Sequence, residues 1–193
     1  MKVIDILNNT DKAGFSFELV PPLKGGDINK IYEAIEPLIA LAPPFINITF
    51  HRDEVVYREY PDGTIKKVTV TKRPGSVALA AAIMRRYNVD MVPHIVCGGA
   101  TRHKIENELI DLNFLDIENV MALRGDPIPG ERFFTPEEGG HQYSCELVEQ
   151  ITRMNHGQYL DDTLTDAVPT NFCIGVAGYP EKHYEAPNQA CDI

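Results

Sequence analysis

Apolar positions along this chain fall into short dense runs, and between them lie stretches with helical spacing. Phe15–Val20, Phe45–Phe50, Met91–Cys97, Asn119–Leu123 and Asn171–Ala177 have strand length, and runs this apolar read as strands covered on both faces. Ile28, Ile31, Ala34, Ile35, Leu38 and Leu41 share one helical face, with Asp27 placed to cap it and Pro43-Pro44 to end it. Ser76 reads as the cap of a helix through Ala78–Met84, and Thr101 as the cap of one carrying Ile105, Leu109, Leu112 and Leu115. Tyr143–Met154 is a further helix, and Met1–Asn9 a short amphipathic one ahead of the series. Alternation around Pro61-Asp62-Gly63 predicts a β-hairpin after the second strand.

Strand and helix alternating through short connections predict a parallel α/β sheet. A doubly wound sheet would bind its ligand beside a glycine-rich first loop, but here the first strand ends in Pro21-Pro22 and no GxGxxG occurs. A (β/α)8 TIM-type barrel instead gathers polar residues from the ends of many strands. That is the pattern seen: Glu18 in the first strand, His94 in the third, and Arg124-Gly125-Asp126 closing the fourth. The expected fold is such a barrel, with about five βα units present in a single domain spanning residues 1–193.

Composition narrows the function classes. With 44% hydrophobic and 24% charged residues the chain is an ordinary globular one. A net charge of −10 argues against nucleic acid as a partner. Lys66, Lys67, Lys72 and Arg73 form the one basic cluster, read as a solvated hairpin, with contact to a phosphate-bearing cofactor as the sharper alternative. Cys97, Cys145, Cys173 and Cys191 form no CxxC pair and read as reduced thiols. No run approaches the ~18 apolar residues of a membrane span and the start lacks signal-peptide form, so a cytoplasmic location without membrane association is expected.

Glu18, flanked by Phe17, Leu19 and Val20, is expected to be buried and therefore either paired or raised in pKa toward general-acid work. Its plainer reading is a rim carboxylate bound to a Lys or Arg. Asp126 beside Arg124 and Gly125 forms either a ligand-binding lip or an Arg–Asp loop tie. His94 is either a ligand contact or a hydrogen-bonded core residue. A metal site from His94, Cys97 and His103 is disfavoured because their directions need not converge. A nucleophilic serine is disfavoured because no GxSxG elbow exists.

Five segments, Phe17-Glu-Leu-Val-Pro-Pro22, Asn47-Ile-Thr-Phe50, Pro93-His-Ile-Val-Cys97, Asn119-Val-Met-Ala-Leu-Arg-Gly-Asp-Pro127 and Gly175-Val-Ala-Gly-Tyr-Pro-Glu-Lys-His-Tyr-Glu-Ala186, together resemble methylenetetrahydrofolate reductases over nearly the whole chain. The hairpin and the Tyr-Pro-Glu-Lys-His form look like a Bacteroidetes-type bacterial branch. The resemblance implies a flavoprotein barrel in which FAD takes hydride from NADH or NADPH and gives it to 5,10-methylenetetrahydrofolate, with homo-oligomerisation an open option. By the same matching, Glu18 is the general acid, and Asp126 the carboxylate beside flavin and pterin. Thr49, His94, Arg124, Gly125, Asp126, Tyr143, Tyr179, His183 and Asp192 would line the FAD, and no metal is implied. Phe50 and His51 depart from the Tyr and Gly of many relatives, which weakens the match at the second strand. The family's sixth to eighth strands have no counterpart before Ile193, so the chain is expected to be part of a longer enzyme. The competing reading, a flavin-binding or assembly module without turnover, follows from the same shortfall.

Overall fold

The computed structural model describes residues 1–129, 131–179, 181–183 and 185–188. Its elements are α1 (Val3–Asn8), β1 (Phe17–Leu19), α2 (Ile28–Ile39), β2 (Phe45–Ile48), β3 (Glu54–Glu59), β4 (Ile65–Val70), α3 (Ser76–Tyr87), β5 (Asp90–Val96), α4 (Arg102–Phe114), β6 (Asn119–Leu123), α5 (Ser144–Met154) and β7 (Cys173–Val176). Five strands form one sheet in the order β1-β2-β5-β6-β7 with every pairing parallel. Space follows sequence with no reversal, so the sheet has no switch point of the doubly wound kind. The result is an α/β fold with a parallel sheet, consistent with part of a (β/α) barrel.

Strand side chains alternate between faces, and the two faces differ here. Leu19, Ile46, Ile48, Met91, Ile95, Cys97, Val120 and Ala122 pack into one core with Ile35 of α2, Leu79 and Ile83 of α3, Ile105, Leu109 and Leu112 of α4, and Leu147, Ile151 and Met154 of α5. The opposite face presents Glu18, Asn47, Thr49, Val92, His94, Met121 and Gly175. Only the helical face is therefore a conventional hydrophobic interior.

α1 lies across the amino ends of the strands. The Met1 ammonium sits 2.6 Å from Asp90 Oδ1, Val3 N–H donates to Asn119 Oδ1 at 2.8 Å, and Lys2 Nζ donates to Asn171 Oδ1 at 2.6 Å. These acceptors begin β5, begin β6 and precede β7, so α1 ties three strand starts together.

Caps and turns follow local chemistry. Asp27 and Thr101 accept from Asn29 N–H (2.9 Å) and Lys104 N–H (3.2 Å), as an N-cap does. Ser76 is not a cap. Gly75 holds that position, and Ser76 is buried inside the first turn with its hydroxyl 3.5 Å from Glu108 Oε1. α2 passes through Pro37 and stops at Ile39, leaving Leu41 exposed, because the chain turns through Ala42 at φ 50° into Pro43-Pro44. β3 and β4 form the expected hairpin, closed by Tyr60 N–H to Thr64 O and by an Asp62 carboxylate that accepts twice from Thr64. Those two bonds hold the Asp62 pKa below the usual carboxylate value. No helix among the described residues is long and apolar enough to cross a membrane.

Candidate active site

Of the sequence-predicted residues, Glu18, Thr49 and His94 lie on the polar face of the sheet and Arg124, Gly125 and Asp126 follow the carboxyl end of β6. Glu18 stands opposite Asn47 in register, and its Oε2 lies 3.8 Å from His94 Nε2. It is not buried. At 58% side-chain exposure it departs from the expected interior position, because β1 is a three-residue edge strand and no helix covers this face. Apolar neighbours in sequence reported the covered face only.

His94 is 6% exposed, and burial pushes its pKa below 6.5 despite the opposing pull of Glu18. The imidazole is accordingly neutral at physiological pH. Its Nε2 has no hydrogen-bond partner among the described residues, and neither does the buried Asn47 Oδ1. An unfilled buried polar atom costs about 1–3 kcal/mol, and two on one face mark a place prepared for other chemistry. Thr49 holds the end of β2 through its N–H to Leu19 O at 2.9 Å, with its hydroxyl between Leu19 O (3.3 Å) and His51 Nε2 (3.2 Å).

Past β6 the pairing persists for one more step, through Cys97 N–H to Leu123 O and Gly98 N–H to Arg124 O. The chain then turns at Gly125, φ 85°, where a β-carbon would stand 2.6 Å from Val96 Cγ1. Asp126 points into solvent, and among the described residues nothing bonds its carboxylate. Its carbonyl accepts from Arg52 Nη1 at 3.1 Å. The Arg124–Asp126 tie weighed from sequence does not form. Arg124 instead lies 3.1 Å from Glu185 Oε2 and 5.4 Å above the Phe134 ring.

A family model described as methylenetetrahydrofolate reductase matches residues 2–193. The chain belongs to the methylenetetrahydrofolate reductase family. It is 30% identical to "Methylenetetrahydrofolate reductase (NADH) 1" of Arabidopsis thaliana over 95% of its own length and 26% of that protein. It is 26% identical to "Probable methylenetetrahydrofolate reductase (NADPH)" of Caenorhabditis elegans over 98% of its own length and 25% of that protein. Identity to "5,10-methylenetetrahydrofolate reductase" of Pectobacterium carotovorum is 24%, over 94% of this chain and 49% of the relative. The chain thus spans about a quarter of these eukaryotic relatives and about half of the bacterial one.

Within this member of the family, the segment after β7 supplies Arg124's partner. His183 Nδ1 accepts from Glu185 N–H at 3.2 Å and His183 O from Ala186 N–H at 3.0 Å, a local turn that presents Glu185 to Arg124. Tyr143, the residue before α5, is held to the end of β5 by Cys97 Sγ–H donating to its carbonyl at 3.7 Å. The Glu146 carboxylate accepts from Gln142 and Tyr143 N–H, which lowers its own pKa. The Tyr143 and Tyr179 rings are exposed at the rim, at 44% and 77%, and join no hydrogen bond among the described residues. Asp192 lies outside the described residues. Sequence reasoning gave no role to Asn47, Arg52, Phe134 or Glu185. Asn47 and Glu185 sat within segments that had already been singled out, whereas Arg52 and Phe134 carried no local signal.

Proposed function

We propose that the protein carrying this chain reduces 5,10-methylenetetrahydrofolate to 5-methyltetrahydrofolate with NADH or NADPH as donor, on a bound FAD, in a (β/α)8 barrel of which this chain forms the amino-terminal part. The observation that carries the reading is the placement of Glu18 beside a neutral, buried His94 on the polar face of a parallel sheet. The unfilled His94 Nε2, the Thr49 hydroxyl, the Arg124 guanidinium and the backbone around Gly125 fit the polar edge of a flat heterocycle such as a flavin. Those residues, with Tyr143, Tyr179 and His183 on the rim, would hold FAD, and Asp192 would complete the set. Bound there, FAD supplies a two-electron carrier between the nicotinamide and the folate.

This chain's own residues then divide the remaining work. Opening the substrate's nitrogen–methylene bond requires a proton on the departing nitrogen, and Glu18 supplies it as a carboxylic acid. His94, neutral, leaves the site without a second cation beside that acid. Asp126, whose carboxylate bonds to none of the described residues, accepts hydrogen bonds from the pterin, while Arg124 is held by Glu185 and Phe134.

Glu18→Gln, made in the intact protein, abolishes methyltetrahydrofolate formation while NADH oxidation by an artificial quinone acceptor stays largely intact, because only folate reduction takes the proton. Parallel steady-state assays check this. Equal loss in both would demote Glu18 to a binding or structural residue.

A further inference from the structure

Asn47 has no part in the reading above, yet it stands between two groups that do. Glu18 on β1 pairs with Asn47 on β2, and His94 lies one strand further on β5. Asn47 pairs with Val92, two residues before His94, so the 3.8 Å approach of Glu18 to His94 runs diagonally across β2, starting in the row of Asn47; neighbouring strands are about 4.8 Å apart, which sets the Asn47 and Glu18 side chains next to each other on one face. Among the described residues Asn47 Oδ1 and His94 Nε2 are both sealed from solvent and without a hydrogen-bond partner.

Asn47 Oδ1 can only accept, so a hydrogen from a neighbouring group would satisfy it, and Glu18 on the adjoining strand is such a neighbour. An ionised Glu18 offers acceptors only, whereas a protonated one offers an O–H. Among the described residues His94 from β5 approaches Glu18 at 3.8 Å; His51 beyond β2 shares the Thr49 hydroxyl, and Arg73 ends on Pro21 O in the following loop. No described residue makes a hydrogen bond to the Glu18 carboxyl. Among the described residues Asn47 Oδ1 lacks a donor, and a general acid on Glu18 carries one.

We propose that Asn47 is a positioning residue for the acid on Glu18, its Oδ1 accepting the O–H of the protonated carboxyl and retaining the proton beside His94 until the substrate nitrogen takes it. The inference rests on the reading of Glu18 as the acid. As the nitrogen–methylene bond opens, the proton passes from the carboxyl to that nitrogen. Glu18 is left as a carboxylate and Asn47 stays neutral throughout.

Two substitutions at position 47 separate this role from a structural one, because they act with opposite sign. Asn47→Leu removes the acceptor, so the midpoint of the pH–rate profile for folate reduction moves down by about one unit, roughly a tenfold loss on its alkaline side. Asn47→Asp keeps an acceptor and adds a like charge, so the midpoint moves up. The protonated-carboxyl infrared band of the flavin-free protein, assigned by its disappearance in Glu18→Gln, follows the same two directions without any turnover. Should the leucine variant not fold, Asn47→Ala removes the acceptor at smaller volume and moves both readouts downward. Shifts of the same sign, or none, overturn the proposal. If Glu18→Gln retains folate reduction, the functional reading itself fails; if it loses that activity while both midpoints ignore position 47, this inference alone fails.

Discussion

Gly125 shows how a single residue fixes the rim. Its φ of 85° suits glycine, and an added β-carbon would meet Val96 Cγ1 at 2.6 Å. Gly125→Ala is therefore expected to destabilise the protein by about 2–4 kcal/mol, from positive-φ strain and overpacking together. Urea unfolding measures it. Combining it with Val96→Ala should recover part of the loss non-additively, and a strictly additive pair would remove the overlap as the cause. At this scale the sequence placed the polar residues on their strands better than it placed their surroundings. Glu18, His94 and Arg124 were legible because each interrupts an apolar run. That Glu18 is exposed and that Arg124 turns to Glu185 were not, since both depend on chain far away in sequence. Ser76 was misread because a serine inside a first turn and one before it look alike until the backbone angles are known.

Elements were more legible than their ends. α4 and β6 follow their periodicity closely, whereas β1 shrank to Phe17–Leu19, because an edge strand with one neighbour keeps only the residues that neighbour pairs. The β3–β4 hairpin was found from its turn chemistry. It stands outside the five-stranded sheet, tied to the loop after β1 by Lys24 N–H to Lys72 O at 2.8 Å and by Arg73 to Pro21 O. Arg58 sits directly opposite Lys66, a like-charge pair that weakens a hairpin. Two-stranded ribbons have little stability of their own, so amides of β3 and β4 are expected to exchange with deuterium at least tenfold faster than those of β5 and β6. Hydrogen-exchange mass spectrometry checks this, and equal protection would mean the hairpin unfolds only with the sheet.

For the whole molecule, His94 links stability to acidity. Burial depresses its folded-state pKa below 6.5, so as pH falls through that value the unfolded chain takes up protons that the folded one refuses. The His94 contribution is thus fully present above 6.5 and is lost as pH falls toward the folded-state pKa. His94→Gln should flatten the decline of the urea midpoint between about pH 6.5 and 5; an unchanged slope would assign that decline to other groups. The parallel α/β architecture was legible from the alternating periods, but the uncovered polar face was not, because it depends on what packs against the sheet.

That one-sided cover also shapes how the gene can change. Along β5, Met91, Ile95 and Cys97 touch the helical core while Val92 and His94 face the polar side. Consecutive codons in each strand therefore answer to different masters: one set tolerates exchange among apolar residues of similar bulk, and the set interleaved with it answers to whatever meets the polar face. Drift is filtered at every second position by volume and at the alternate ones by chemistry, so a strand of this sheet records two independent histories in one stretch of DNA.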